Sequence, residues 1–311
     1  MSEGSLSLYN IKDNKAFGKE QIKKVKERQI QDIIEQNMEQ MFTTRLVASE
    51  YTITGGRMDS IGLDDNNSPV IFEYKQGQND NVINQGLYYL DWLMDHKGDF
   101  TLDVRKKLGD GVASKIDWSN PILICVAQKF TKFDLHAVKQ IDRLIKLVRY
   151  TFYTDGTLAI ENLNKVDSEE MKFNKKSTAY NSDELESNQE GKNKSLSQVK
   201  MLERADPKIK QLYAYLCDAI EEFGDDFDKY QLKCYLAYRK RQNFACIELL
   251  RSSIKVHLNL DPKKQPIEEG FSKDNSNIGH RGTGNYQLTI VDEDTLDKAL
   301  PFIQKAYEET E

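Results

Sequence analysis

The chain has 311 residues, enough for two cores of ordinary domain size, and its 39% hydrophobic and 30% charged residues describe a globular protein. No apolar run approaches the roughly 18 residues that cross a bilayer. The most continuous is Pro121–Ala127, and Met-Ser-Glu-Gly at the start lacks a signal-peptide pattern, so a cytoplasmic protein without a membrane partner is expected. A formal net charge of −6 argues against non-specific coating of nucleic acid, while leaving room for a local basic cleft.

From Gly18 to Phe42 the residues Ile22, Val25, Ile33, Ile34, Met38 and Met41 recur at mostly helical spacing, which predicts one long amphipathic helix. Strands are expected over Arg57–Leu63 and Val70–Lys75. Between them Asp64-Asp65-Asn66-Asn67-Ser68-Pro69 is a cluster of turn residues suited to a hairpin loop. A helix over Asn81–Asp95 carries Ile83, Leu87, Leu90 and Met94 on one side, and Pro121–Ala127, apolar on both faces, reads as a buried central strand. Asp134 is expected to cap a helix buried through Leu135, Val138, Ile141, Ile145 and Val148. Lys139, Arg143 and Lys146 recur on the opposite side of that helix as a basic stripe, suited to phosphate contacts or to plain solvation. A hairpin over Tyr150–Leu163 turns at Asp155-Gly156.

Over residues 167–200 the composition shifts to Ser, Asn, Glu, Lys and Gln, which predicts a flexible polar linker. Beyond it, a helix over Ile209–Phe223, strands near Tyr230–Tyr238, Phe244–Leu258 and Tyr286–Val291, and a helix over Thr295–Tyr307 form a second, smaller α+β unit. The expected organisation is therefore residues 1–166, a linker over 167–200, and an accessory unit over 201–311. Cys125, Cys217, Cys234 and Cys246 lie in apolar stretches without metal-ligand spacing and read as buried reduced thiols. Gly279-His280-Arg281-Gly282-Thr283-Gly284 precedes a strand instead of following one, so it reads as a turn and not a phosphate loop. Arg239-Lys240-Arg241 is a compact basic turn, equally suited to nucleic acid or to solvent.

The residues that carry chemistry sit in the first half. In Val70-Ile71-Phe72-Glu73-Tyr74-Lys75 the period of two places Glu73 and Lys75 on one face, and Asp59 on the preceding strand can meet them across the hairpin. Two hard oxygen ligands, Asp59 and Glu73, can hold Mg²⁺ or Mn²⁺ with positions left for water and a phosphate oxygen. A lysine beside them can orient the attacking water and offset developing charge.

The order of elements goes further: a helix with an acid (Glu35), a strand with Asp59, a turn, a strand with Glu73-Tyr74-Lys75, and a helix beginning near Gln85. This order resembles the PD-(D/E)XK nuclease pattern, an α/β restriction-endonuclease-like mixed sheet flanked by helices. Arg57-Met58-Asp59-Ser60-Ile61-Gly62-Leu63-Asp64 and Asn84-Gln85-Gly86-Leu87-Tyr88-Tyr89-Leu90-Asp91-Trp92-Leu93 are similar to a bacterial and archaeal endonuclease family related to the NucS-type nucleases. The resemblance covers about residues 18–163, and the second half resembles a domain of unknown function found behind the same module. It implies Asp59 and Glu73 as metal ligands, Lys75 as the catalytic lysine, Glu35 as an outer acid, with Glu39 one turn on as an alternative, and Gln85 as a residue steadying the site or touching DNA. The implied activity is metal-dependent endonucleolytic hydrolysis of DNA, with RNA left open, in DNA repair or defence against foreign DNA. A fold that binds nucleic acid or protein without turnover is the alternative, and oligomeric state stays open, a homodimer included.

Overall fold

The computed structural model describes residues 7–76, 82–165, 198–276 and 282–310. The expected linker over 167–200 thus lies outside the described residues, save for Gln198–Lys200, which open a helix, and so does the first half of the Gly279–Gly284 segment.

The described residues begin with a two-stranded hairpin, β1 (Tyr9–Lys12) with β2 (Lys15–Gly18), turned through Asp13 and Asn14 at positive φ. This corrects the long helix expected over Gly18–Phe42. Residues Glu20–Ile22 lie along the end of a later hairpin, with Ile22 N donating to Phe152 O at 2.8 Å and Thr154 N to Glu20 O at 2.9 Å. Helix is confined to α1 (Glu27–Gln36) and, after a break at Asn37, α2 (Met38–Phe42). Pairing with chain 130 or more residues away overrides the local helical period.

Six strands make a mixed sheet in the order β3 (Thr44–Ile53), β4 (Gly56–Asp64), β5 (Pro69–Lys75), β6 (Ile122–Ala127), β7 (Leu144–Phe152) and β8 (Leu158–Asn162). The first three form an antiparallel meander, β5, β6 and β7 run parallel, and β8 returns antiparallel. The parallel step from β5 to β6 is made through α3 (Val82–Asp95), α4 (Lys97–Leu108) and α5 (Asp110–Ala113), as a crossover requires. Gly86 lets α3 approach the sheet, since a Cβ there would meet Leu123 Cδ1 at 2.4 Å.

The step to β7 corrects a second expectation. Helix α6 (Lys132–Gln140) is capped by Thr131, with Asp134 completing the capping box, and it stops before Ile141. Leu144-Ile145-Lys146-Leu147-Val148 is buried strand, not helix. A central parallel strand is apolar on both faces, so its sequence mimics helical spacing in a short window.

A second six-stranded sheet, antiparallel throughout, has the order β13 (Ser272–Asp274), β14 (Tyr286–Ile290), β12 (Ile254–Leu258), β11 (Asn243–Leu249), β10 (Leu236–Arg239) and β9 (Asp228–Gln231). Each of the two longer strand regions expected here is a hairpin, bent at 232–235 and 250–253. With α7 (Gln198–Arg204), α8 (Pro207–Glu221) and α9 (Glu293–Glu309) it forms an α+β unit whose own core joins Leu216, Leu236, Phe244, Ile247, Leu288 and Ile303.

The first sheet is covered on one face by α3 and α4, around Leu90, Leu93, Phe100 and Leu123. On its other face, Ile30 and Ile34 of α1 and Phe72, Tyr74 and Val148 of the sheet share one cluster with Tyr230, Tyr235, Ala237 and Cys246 of the second unit. A cavity of about 880 Å³ lies in this layer, lined in part by Phe42, Val70, Ile124, Lys146, Asp228 and Tyr230. No helix among the described residues is long and apolar enough to cross a membrane.

Candidate functional site

The β4–β5 ladder runs from Leu63↔Pro69 to Ser60↔Phe72 and ends there. One residue further on, side chains take over from the backbone. Asp59 N donates to Glu73 Oε1 at 3.3 Å, and Tyr74 N donates to Asp59 Oδ2 at 2.9 Å. β4 goes on pairing with β3, and β5 goes on pairing with β6 as far as Lys75↔Ala127, so both carboxylates are held by well-paired strands at a fork.

Both are buried, Glu73 completely, and Glu73 Oε2 has no hydrogen-bond partner among the described residues. Burial raises Asp59 above the usual carboxylate range, against the pull of the Tyr74 amide and of Lys75. Burial and the Asp59 carboxylate push Glu73 up to about 8, and Lys75 pulls it down. The Lys75 ammonium stands 3.6 Å from Glu27 Oε1, at the start of α1. Asp59, Glu73 and Lys75 are therefore brought together as the sequence expects.

Glu35 joins this group indirectly. Its Oε1 accepts from Ser60 Oγ at 2.7 Å and from Gln31 Nε2 at 3.0 Å, and the same Gln31 amide donates to the Asp59 carbonyl at 3.0 Å. Glu39 is exposed on α2, after the Asn37 break, and has no comparable link. Gln85 is directed elsewhere: its Nε2 donates to Tyr89 OH at 3.0 Å, and that hydroxyl accepts from Arg57 N at 3.3 Å. Gln85 thus supports the start of β4, two residues before Asp59.

Three residues of this neighbourhood were not anticipated. Gln31, 3% exposed, bridges Asp59, Glu35 and Glu50. Glu50 sits on β3 at φ +53°, an uncommon conformation for a side chain other than glycine, and accepts from Arg57, Arg28 and Gln31. Glu27 faces Lys75. The one signal in the sequence was Gln31 itself, a polar residue flanked by Ile30 and Ile34 on the buried side of α1. Cys125, in register with Glu73, is no nucleophile, because burial and the Glu73 charge hold its thiol far above its ordinary range.

The basic stripe does not survive. Lys139 is exposed on α6, Arg143 is exposed in the connection that follows, and Lys146 lies buried on β7 in an ion pair with Asp228 of the second sheet. The three share no helix face, because the helix ends at Gln140. The basic turn is also engaged: Arg239 pairs with Asp64 and Asp65, Lys240 with Asp226, and Arg241 donates to Gln40 O.

The residues fit a hard divalent cation on one count in particular, the orphaned, buried Glu73 Oε2 beside a second carboxylate. Among the described residues no group of three or more His, Cys, Asp or Glu side chains is gathered as a ligand set. Mg²⁺ needs no such set, since it keeps several waters and binds through one or two carboxylates.

Residues 199–310 match the family model described as a domain of unknown function (DUF5655). An uncharacterised protein of Haemophilus influenzae is 26% identical over 288 residues, a span of 90% of this chain and 92% of that protein. Among solved structures, one of an EndoMS-dsDNA2 complex is similar with a TM-score of 0.25 and 18% identity. That likeness covers 40% of this chain, which spans 44% of the EndoMS chain it matches.

Proposed function

We propose that the chain is a metal-dependent endonuclease of PD-(D/E)XK type, hydrolysing DNA phosphodiester bonds at Asp59, Glu73 and Lys75. The observation that carries this reading is the fork itself. Two carboxylates, one with an unanswered buried oxygen, sit beside an ammonium at the point where β4 and β5 part. Asp59 and Glu73 would hold Mg²⁺ or Mn²⁺, which when bound lowers the pKa of water and neutralises phosphate charge.

The chain's own residues supply the rest. Glu73 is driven towards its protonated form by its buried setting, so ionising it is part of loading the centre. Lys75, held towards Glu27, places a positive charge beside both carboxylates, where it can orient water and offset charge developing on the phosphate oxygens. In the reaction a water oxygen bonds to phosphorus and gives its proton to solvent, the bond from phosphorus to one ester oxygen breaks, and that oxygen takes a proton from solvent and leaves as a hydroxyl. Glu35 and Gln31 hold the Asp59 backbone in place, and Gln85 acts through Tyr89 on the strand that carries Asp59.

The test is single-turnover cleavage over single-stranded, duplex, mismatched and branched DNA with Mg²⁺ or Mn²⁺. Cleavage that disappears in Asp59→Asn and Glu73→Gln supports the reading. Survival of every substrate with the wild type would move it to a module that binds without turnover.

A further inference from the structure

The expected basic stripe is buried or dispersed, yet the chain carries another concentration of positive charge. Between Ser7 and Lys26 stand six lysines against two acidic residues, in a protein of net charge −6. Lys19 is committed to Asp155 at 2.7 Å. Lys12, Lys15, Lys23, Lys24 and Lys26 are exposed, and none makes an ion pair among the described residues.

Their arrangement follows the backbone. In the β1–β2 hairpin Asn10 pairs with Phe17 and Lys12 with Lys15, so these four side chains share one face, two cations beside an aromatic ring that is 54% exposed. Every residue of both strands is exposed, so the hairpin packs on nothing among the described residues. An isolated two-stranded hairpin is marginal in water, and such a face needs a partner. Its root is nevertheless fixed, by Lys19 on Asp155 and Thr157, by Thr154 on Glu20, and by Ile22 on Phe152. From that root Lys23, Lys24 and Lys26 lead directly to Glu27, the residue facing Lys75.

We infer that residues 9–26 form a nucleic-acid-binding arm that grips the phosphate backbone and carries it to the fork at Asp59 and Glu73. Charge complementarity and continuity with the site select a polyanion with exposed bases as the occupant. Lysines neutralise phosphates, and Phe17 offers a stacking surface that a bare anionic surface would not use. This inference rests on the nuclease reading for what the arm delivers, but binding itself needs no metal.

The experiment is fluorescence anisotropy of labelled duplex and single-stranded DNA with the full chain in EDTA, across a range of salt. It compares the wild type with a variant in which Lys12, Lys15, Lys23, Lys24 and Lys26 are all changed to Gln, exposed substitutions whose folding is checked by circular dichroism. The variant should bind at least tenfold more weakly, and the slope of log K against log salt should flatten by up to about 4.5, at ~0.9 for each phosphate no longer neutralised. Phe17→Ala should weaken single-stranded binding more than duplex binding, and amides of Tyr9–Gly18 should gain exchange protection with DNA. An unchanged slope and affinity overturns the arm, as does a wild type that binds no DNA. Vesicles of anionic lipid that bind the wild type and release the variant, while DNA binding stays the same, overturn it in favour of a membrane surface. Cleavage is not read here, so an inactive centre and a failed arm give different results.

Discussion

Arg239 reaches from the second sheet to Asp64 at the end of β4, 2.9 Å away, with 6% and 2% of the two side chains exposed. Asp64 uses its other oxygen to close the β4–β5 hairpin, accepting from Asn66 N at 2.9 Å and Ser68 N at 2.8 Å, while Asp65 adds a second carboxylate to the guanidinium at 3.0 Å. Tyr235 and Asn243 both donate to Asn66 in the same loop. The accessory unit thus grips the tip of the hairpin whose far end carries Asp59 and Glu73.

Removing Arg239 leaves the Asp64 carboxyl buried without its partner, the costly way to break such a pair. Arg239→Ala should lower stability by about 3–5 kcal/mol in urea titration. The double change Arg239→Leu with Asp64→Asn should cost clearly less than the two single changes added together, and simple additivity would show that the pair is not coupled.

Because α1, the first sheet and the second sheet share one buried cluster, their unfolding should be a single event. Trp92 and Trp118 report on the α3–α4 side of the first sheet, and, with the buried Cys125 of that sheet changed to Ala, the buried Cys217 and Cys246 report on the second unit. Tryptophan fluorescence and thiol labelling should give coincident transitions in urea. Separate midpoints would mean that the two sheets stand independently.

Gln31 makes three hydrogen bonds around Asp59 that no apolar side chain can replace, the one to the Asp59 carbonyl fully buried and those to Glu35 and Glu50 partly so. Gln31→Leu should destabilise by roughly 1–3 kcal/mol, the usual cost of stranding buried polar groups, and should weaken metal binding more than Glu35→Gln does. Equal effects of the two would place Gln31 outside the support of Asp59.

The raised Glu73 gives a signed pH dependence. Its folded value, about 8, lies above the 4.5 of the free side chain. The stability it contributes is therefore fully present below pH 4.5 and is lost as pH rises through about 8. Thermal melts in EDTA should fall across this window, and Glu73→Gln should flatten the fall. A wild-type profile that rises towards pH 8 would contradict the burial of an unneutralised carboxylate.

Much of the site was legible because it depends on local rules. The turn residues Asp64–Pro69 mark the hairpin, and period-two alternation places Glu73 and Lys75 on one face, so their meeting with Asp59 follows from the two strands alone. Long-range pairing was not legible. Lys146 read as an exposed helix residue because Leu144–Val148 has the same apolar density in a helix as in a doubly buried strand, and its partner Asp228 lies 82 positions on. The Gly18–Ile22 segment likewise takes its shape from Phe152 and Thr154. Strand β3 was missed because Arg45, Ser49 and Glu50 interrupt its apolar residues, although it is the edge on which β4 rests.

Lys75→Ala separates chemistry from loading. Both carboxylates remain, so metal and DNA should still bind, while the single-turnover rate should fall by at least ~10²-fold. Loss of metal binding in this variant would instead make Lys75 part of the structure of the site.

The most direct measurement is isothermal calorimetry of Mn²⁺ and Mg²⁺ binding to the full chain in two buffers of different ionisation enthalpy near neutral pH. A metal centre at the fork predicts saturable binding with proton release from Glu73, and affinity that rises with pH through about 8. It also predicts loss of binding in Asp59→Asn and in Glu73→Gln, with both variants still folded. No binding to the folded wild type, or binding that both variants retain, would contradict a metal centre between β4 and β5.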